Sequence, residues 1–299
     1  MTWRIVKVSS NSKLELKLNY LVVRNLNDIN KVFIPEIAVL IIESTAVSLT
    51  AALLCELSRR KIKIILCDEK RNPYGELITY CGSHDSVEKL RQQIRWDKSL
   101  SDELWAVIIR DKISQQKSVL LLNNCWKSAD LLQTYADDVQ PGDITNREGH
   151  AAKVYFNSLF GNEFSRKDDS AINSGLNYGY AILLSTFNRE ITINGFSTQL
   201  GIFHDNATNP YNLASDLMEP FRPIVDEYII RMNISEFGTD EKNRLADMLN
   251  SIVFIDGKQN YLLNAIKIYV WSFFNCMEQG NSKGMKFYEV SIHESDGVL

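Results

Sequence analysis

Lys13-Leu14-Glu15-Leu16-Lys17-Leu18-Asn19-Tyr20, continuing to Val23, alternates apolar side chains with charged or amide ones. A period of two places Leu14, Leu16, Leu18 and Tyr20 on one face of a half-buried β-strand. Upstream, the segment from Trp3 to Val8 is the expected partner strand, with Ser9, Ser10, Asn11 and Ser12 as the turn between them. Downstream, Ile37 to Ile42 is a continuous apolar run of strand length. The segment from Ser48 to Arg60 carries Leu49, Ala52, Leu53, Glu56 and Leu57 at helical spacing. Lys61 to Cys67 returns to strand character. Asn72-Pro73-Tyr74-Gly75 then reads as a turn before a last short strand from Glu76 to Tyr80.

Beyond about residue 85 the period changes to that of helices. Val87 to Ser99, Asp102 to Asn123, Arg147 to Phe160, Ala171 to Glu190, Asn212 to Asn233 and Leu262 to Glu278 all have it, with few turn signals. Strands first and helices afterwards predict an α+β chain with segregated elements. The expected division is a small β-rich N-terminal domain, residues 1–84, and a larger all-helical C-terminal domain, residues 85–299. No internal repeat or low-complexity tract interrupts it, and His293 to Leu299 reads as a loose tail.

At 299 residues, with 45% hydrophobic and 23% charged side chains, the chain is an ordinary globular sequence with ample core. Its five cysteines (Cys55, Cys67, Cys81, Cys125 and Cys276) are odd in number and lack C-x-x-C spacing. That pattern excludes a disulfide framework and a cysteine zinc site, and fits a reducing cytosol. Met1 to Ser10 holds no apolar core of a signal peptide. No stretch approaches the roughly 18 apolar residues of a membrane span. A cytoplasmic protein without membrane contact is expected. The net charge of −4 supplies no global basic footprint for nucleic acid. Any such contact falls to local clusters: Arg59, Arg60, Lys61 and Lys63; Lys89, Arg91 and Arg95; or Arg110 and Lys112.

Three segments carry residue types with chemistry. Thr145, followed three residues later by Glu148, has capping-box spacing, which would occupy Glu148 with backbone donors. Yet Glu148 shares a helical face with Ala151, Ala152, Tyr155 and Leu159, and an inward carboxylate needs a paired charge or a metal. His150 projects from another side. His204 sits in a glycine-containing segment, Gln199 to Asn206, either as a surface histidine or as a metal ligand. Asp216 and Glu219, three apart, share one helical side. They form either an exposed acidic face or a pair with a cation between them, Arg222 being one available partner. Pro220 and Pro223 work against a straight helix there and restrain Glu219 and Arg222.

Taken together, Arg147 to Ala152, Leu200 to His204 and Asp216 to Pro223 resemble the signature of the CRISPR-associated spacer integrase family. This is the first of the two near-universal adaptation proteins. Order and separation also match, with 56 residues from Glu148 to His204 and 15 more to Glu219. The resemblance runs along nearly the whole chain. The opening Trp3-Arg4 and the stretch Asn194 to Gly201 are most similar to type II-A members.

That resemblance implies Glu148, His204 and Glu219 as metal ligands and catalytic residues, with Asp216 as an acidic neighbour orienting them. It also implies supporting roles for Asn173, Asn177 and Tyr178, which match a family helix near the site, and Arg222 is a further supporting residue. Two carboxylates and an imidazole form a hard oxygen and nitrogen set suited to Mg²⁺ or Mn²⁺, with Zn²⁺ as the competitor. The implied reaction is transesterification, in which a 3′-hydroxyl of a short DNA fragment attacks a phosphodiester at a repeat edge. The implied partners are double-stranded DNA, a second copy of the chain meeting it through the N-terminal domain, and a dimer of the second adaptation protein. In type II systems the effector nuclease and a further adaptation factor are additional candidates. A nuclease that only hydrolyses would use the same ligands, and a catalytically silent DNA-binding scaffold would keep only the fold.

Overall fold

A computed structural model describes residues 4–77 and 83–289. The N-terminal portion runs β1 (Arg4–Val8), β2 (Ser12–Lys17), β3 (Tyr20–Arg24), β4 (Ile29–Phe33), β5 (Ile37–Ile42), β6 (Val47–Leu49), α1 (Ala51–Arg59), β7 (Lys63–Cys67) and β8 (Pro73–Glu76). Helices dominate afterwards: α2 (Ser86–Ile94), α3 (Lys98–Leu122), α4 (Trp126–Asp137), α5 (Arg147–Phe160), α6 (Ala171–Ile193), α7 (Asn212–Met218), α8 (Arg222–Met232) and α9 (Thr239–Asp247). Two strands, β9 (Ile252–Ile255) and β10 (Lys258–Tyr261), precede α10 (Leu262–Gln279), and β11 (Tyr288–Glu289) closes the described chain. Trp3, Cys81, the expected end of a strand at Tyr80 and the tail from His293 lie outside the described residues.

The alternation from Lys13 onward is split into two strands. β2 and β3 pair antiparallel with Lys17 opposite Tyr20, around a two-residue turn at Leu18 and Asn19. Both turn residues have left-handed backbone, φ 49° and 65°. This is what a tight hairpin demands if its twist is to match the strands, and Asn tolerates the conformation better than most residues. Leu18, expected on the buried face, is 84% exposed as a result.

β1 does not pair with β2. It lies parallel to β5, Val6 opposite Leu40, in a sheet ordered β1-β5-β7-β8. All six residues of β5 are buried, the setting of a central strand covered on both faces. The segment expected as a turn at Asn72 to Gly75 instead supplies the antiparallel edge strand β8. A second sheet, ordered β4-β3-β2-β6, faces the first. Leu14, Leu21, Ile37, Leu40, Leu53 and Leu57 fill the space between. Ser48 and Leu49 are drawn into β6 beside β2, so α1 starts later than its periodicity indicates, where the Thr50 hydroxyl accepts from the Leu53 N–H.

Val39, Ile41 and Ile65 point the other way, into the core of the helical portion, so one sheet serves both cores. Through that second core runs α3, 25 residues long and capped by Asp97. The helical portion also holds a small sheet ordered β10-β9-β11 that helical periodicity does not announce. The described cysteines Cys55, Cys67, Cys125 and Cys276 are free. No helix among the described residues is long and apolar enough to cross a membrane.

α6 and α8 approach closely because of Gly179. A β-carbon there would sit 2.4 Å from Val225 Cγ1 and 3.1 Å from Cγ2. Val225 is buried and β-branched, so it cannot swing aside. Gly179→Ala is expected to cost about 1–3 kcal/mol by overpacking. Urea unfolding of that variant, of Val225→Ala and of the double variant tests the reason. A double variant more stable than the sum of the singles fits close contact, whereas additive losses contradict it.

Candidate active site

Residues distant in the chain converge on the middle of α3. The Lys112 ammonium donates to Glu148 Oε1 at 2.6 Å and to Glu219 Oε2 at 2.5 Å. Lys112 and Glu219 are both buried. Burial alone would push the lysine down, but Glu219 and Glu148 more than offset this and hold it above its ordinary value. For Glu219 burial pushes up, and Arg222 and Lys112 reverse the effect, leaving it below the ordinary carboxylate value. Both groups therefore stay charged.

Glu148 is free to reach Lys112 because other side chains cap α5. Asp143 accepts from the N–H groups of Arg147 (2.8 Å) and Glu148 (3.0 Å), and Asn146 accepts from Gly149 N–H at 3.3 Å. The capping box expected from Thr145 and Glu148 does not form. The first-turn donors are already taken, and the Thr145 hydroxyl is buried without a partner.

Glu219 owes its position to a break. α7 ends at Met218, a single 3₁₀ turn spans Glu219–Phe221, and α8 starts at Arg222. The helical period from Asn212 to Asn233 is thus broken where Pro220 and Pro223 lack backbone donors, as those prolines lead one to expect. Asp216 and Glu219 consequently serve different partners. Glu219 Oε1 accepts from Arg222 Nε at 2.8 Å. Asp216, fully buried, turns to the loop before α7 and accepts from the N–H groups of Ile202 (2.7 Å), Phe203 (3.1 Å) and His204 (3.0 Å).

The same carboxylate holds the His204 ring, with Nδ1 2.6 Å from Asp216 Oδ1. With Asp216 as acceptor, Nδ1 carries the proton, and in the neutral ring Nε2 keeps its lone pair. Gly201 makes the loop's close turn feasible, since a β-carbon there would lie 2.4 Å from the His204 carbonyl oxygen and 2.6 Å from Asp216 Oδ2. Phe203 stacks on the buried Trp105 indole at 4.2 Å, and the His204 ring meets Trp105 edge-on. The hydrogen bond that the ring donates to Asp216 raises the imidazole pKa, burial opposes it, and the charges of Asp216, Glu219 and Glu148 add to the rise.

Lys112, Glu148, Glu219, Arg166, Arg222 and Asp226 line a cavity of about 240 Å³. The Arg222 and Arg166 guanidinium groups lie over the Tyr180 ring at 4.7 and 5.4 Å from its centre. Arg166 donates to Asn173 Oδ1 at 2.5 Å and to Asn177 Oδ1 at 2.7 Å. Asn173 and Asn177 thus reach the cavity through Arg166. Tyr178 does not: it turns to Phe237 and Lys242 on the other side of α6, where it lines a different cavity. The Tyr180 hydroxyl donates to Asp226, as does Tyr155 at 3.0 Å. Burial raises the Asp226 carboxyl to about 6, against those two hydrogen bonds.

Among the described residues, no group of three His, Cys, Asp or Glu side chains is disposed to hold a metal ion. Glu148 and Glu219 nevertheless face one cation, the Lys112 ammonium. Two carboxylate oxygens turned toward a single positive centre, Glu219 buried and Glu148 partly so, are what a divalent cation also requires. With Nδ1 held by a carboxylate, His204 has the arrangement usual for a metal-ligating imidazole. In its chemistry, two carboxylates and an imidazole, this donor set fits Mg²⁺ or Mn²⁺. Sequence reading assigned Lys112 to a surface basic cluster with Arg110. Its spacing from Trp105, Ile108 and Ile109 on the buried face of α3 is the signal that places it inward. Of the basic run from Arg59 to Lys63, Lys63 is buried against Glu76, and Arg59 and Arg60 pair with Glu56. Lys63, taken from sequence as a DNA contact, therefore offers no charge to solvent.

A strand-rich beginning and a mostly helical remainder define an α+β protein. Residues 6–241 match the family model described as CRISPR associated protein Cas1. The chain is 34% identical over 295 residues to the CRISPR-associated endonuclease Cas1 of Neisseria meningitidis serogroup C (strain 8013), covering 97% of both chains. It belongs to the Cas1 family. Its fold is similar to that of a casposase bound to integration product, with TM-score 0.76, 19% identity and coverage of 99% of this chain and 96% of that one. It also resembles part of a longer chain in a Cas6-RT-Cas1–Cas2 complex, with TM-score 0.72, 17% identity and coverage of 94% of this chain and 36% of that one.

The Asp216 contacts predict two separable effects. Asp216→Ala leaves three loop donors without an acceptor and is expected to cost about 3 kcal/mol in urea unfolding. Asp216→Asn is expected to lower the His204 pKa, read from ring resonances in an NMR titration. Because the folded pKa is raised, the stability it brings is full below the unfolded value of about 6.5 and is lost as pH rises through the folded value. An unchanged His204 titration in Asp216→Asn would contradict the assignment.

Proposed function

We propose that this chain is the divalent-metal-dependent DNA endonuclease and integrase of CRISPR adaptation. It would join 3′-hydroxyl ends of short foreign DNA fragments to repeat edges by transesterification. One observation carries the reading: in a Cas1-family chain, Glu148 and Glu219 converge on a single cation in a cavity lined by arginines, beside a His204 fixed by Asp216. Glu148, His204 through Nε2, and Glu219 would hold Mg²⁺ or Mn²⁺. When bound, such an ion supplies Lewis-acid stabilisation of phosphoryl oxygens and a template for the attacking hydroxyl.

The chain's own residues divide the remaining work. Arg222 keeps Glu219 ionised and oriented through its 2.8 Å contact. Asp216 fixes the ring tautomer and the loop that carries it. Arg166 and Arg222, stacked on Tyr180, present guanidinium donors to the cavity, a geometry suited to the paired oxygens of a phosphodiester. Asn173 and Asn177 hold Arg166 in place.

Joining both ends of one fragment needs two such sites, and hence two copies of the chain. We assign their meeting surface to the β-rich portion, residues 1–84, where Tyr20 and Phe33 pack together yet remain 40% and 37% exposed. The likeness to a chain in a Cas1–Cas2 complex supports a Cas2 partner, and the likeness to a casposase bound to integration product supports double-stranded DNA.

The test supplies a supercoiled repeat-bearing plasmid, a short duplex with free 3′ ends, Mn²⁺ and Cas2. Wild-type protein is expected to join the duplex covalently at the repeat. Glu148→Gln, His204→Ala and Glu219→Gln should each lower joining by more than about 100-fold, beyond the 10–100-fold usual for groups that only orient ligands. Plasmid cleavage without joining would favour a hydrolytic nuclease. Metal-dependent joining that survives in Glu219→Gln would overturn the site.

A further inference from the structure

Lys112 is the centre of the cavity's charge arrangement. Its ammonium is buried, touches one oxygen of Glu148 and one of Glu219, and ties α3 to segments 36 and 107 residues away. Arg222 takes the other oxygen of Glu219. A buried carboxylate without a cation is costly, so Glu219, and the part-buried Glu148 to a lesser degree, needs a positive partner whether or not a metal is bound. A divalent ion held by the same two carboxylates would stand a short distance from the ammonium, and like charges at that separation in a buried site repel strongly. The two cations compete for one place.

We propose that Lys112 is the resident counter-cation of the metal-free site. Its ammonium stands in for the metal, keeps Glu148 and Glu219 paired, and leaves that position when a divalent cation binds. Lys112 is a positioning residue in this role, and the inference rests on the reading that Glu148 and Glu219 are metal ligands. Its four-carbon stem is flexible, and the cavity beside it, about 240 Å³, gives it room to withdraw. Lysine serves where arginine would not, because a compact single-point cation on a flexible chain is easier to displace than a bidentate guanidinium.

Mn²⁺ binding to the full chain, measured by calorimetry for wild type, Lys112→Met and Glu219→Gln, tests the idea, with melting temperature followed in EDTA and in excess Mn²⁺. Lys112→Met is expected to bind Mn²⁺ about tenfold more tightly or better, having lost the competitor. It should melt lower than wild type in EDTA and regain the loss in Mn²⁺. Equal or weaker Mn²⁺ binding in Lys112→Met, with binding abolished in Glu219→Gln, overturns the counter-cation role and leaves the ligand assignment standing. Absence of Mn²⁺ binding even in wild type overturns both. Should Lys112→Met fail to fold, amine labelling of wild-type Lys112, followed by mass spectrometry, replaces it. Labelling should rise severalfold on Mn²⁺ saturation, and unchanged protection means the ammonium has not moved.

Discussion

The ion cluster of Lys112, Glu148, Glu219 and Arg222 is the constraint on which the helical portion turns. Removing the charges of Lys112 and Glu219 from water, and those of Glu148 and Arg222 in part, is expensive, and only close mutual contact with further hydrogen bonds offsets the loss. Glu219 shows how this is met: one oxygen faces Lys112, the other faces Arg222, and neither is left without a donor. The cluster binds the middle of α3, the first turn of α5 and the break between α7 and α8, three places the backbone alone would not hold in register. Elsewhere, burial of apolar surface only requires that helices pack. Here the requirement is sharper, because removing one member strands an uncompensated charge in the interior.

A second carboxylate does comparable work for the loop. Asp216 gathers three successive backbone N–H groups and an imidazole, much as an anion is held in a nest of amides. The loop therefore has one conformation without strands or helices of its own. Trp105 contributes from the opposite side, its indole face covered by Phe203 and edged by His204. Because Trp105 and Lys112 both belong to α3, seven residues and two turns apart, one rigid element positions the loop histidine and the carboxylate pair together. Chemistry that depends on the relative placement of His204 and Glu219 is thereby insulated from loop motion.

How much of this was legible in the sequence depends on whether local or distant atoms decide each feature. The helix from Arg147 to Phe160 and the strand from Ile37 to Ile42 are read with their observed bounds, since periodicity and an unbroken apolar run are local signals. The hairpin at Leu18 and Asn19 was missed because the alternation continues across the turn, and only backbone chirality reveals it. The hairpin of β9 and β10 did carry a signal, Asp256-Gly257, with φ 54° and 70°. Capping of α5 went to Asp143 and Asn146 instead of Glu148 because a loop residue upstream reached the donors first, which spacing rules cannot see. For Lys112, spacing on α3 carries the signal that it faces inward, whereas its pairing with Glu219 follows from a contact 107 residues away.

The net charge of −4 looks ill-suited to DNA until the location of charge is considered. Several acidic side chains of the interior are spent on internal partners: Asp216 on the loop, Asp226 on two tyrosines, Glu219 on Lys112 and Arg222. Glu76 is likewise taken by Lys63. Where the partner is itself a cation, as for Glu219 and Glu76, the pair contributes little to the field outside the protein. Arg166, by contrast, meets only the amide oxygens of Asn173 and Asn177 and the face of Tyr180, which support a cation without neutralising it. Affinity for a phosphate at the cavity is then set by these local donors and the low dielectric around them, while overall acidity acts through solvent and is screened over about 10 Å at ordinary salt. A chain acidic in sum can therefore still place guanidinium donors at one cavity, where Arg166 and Arg222 stand beside the carboxylates that line it.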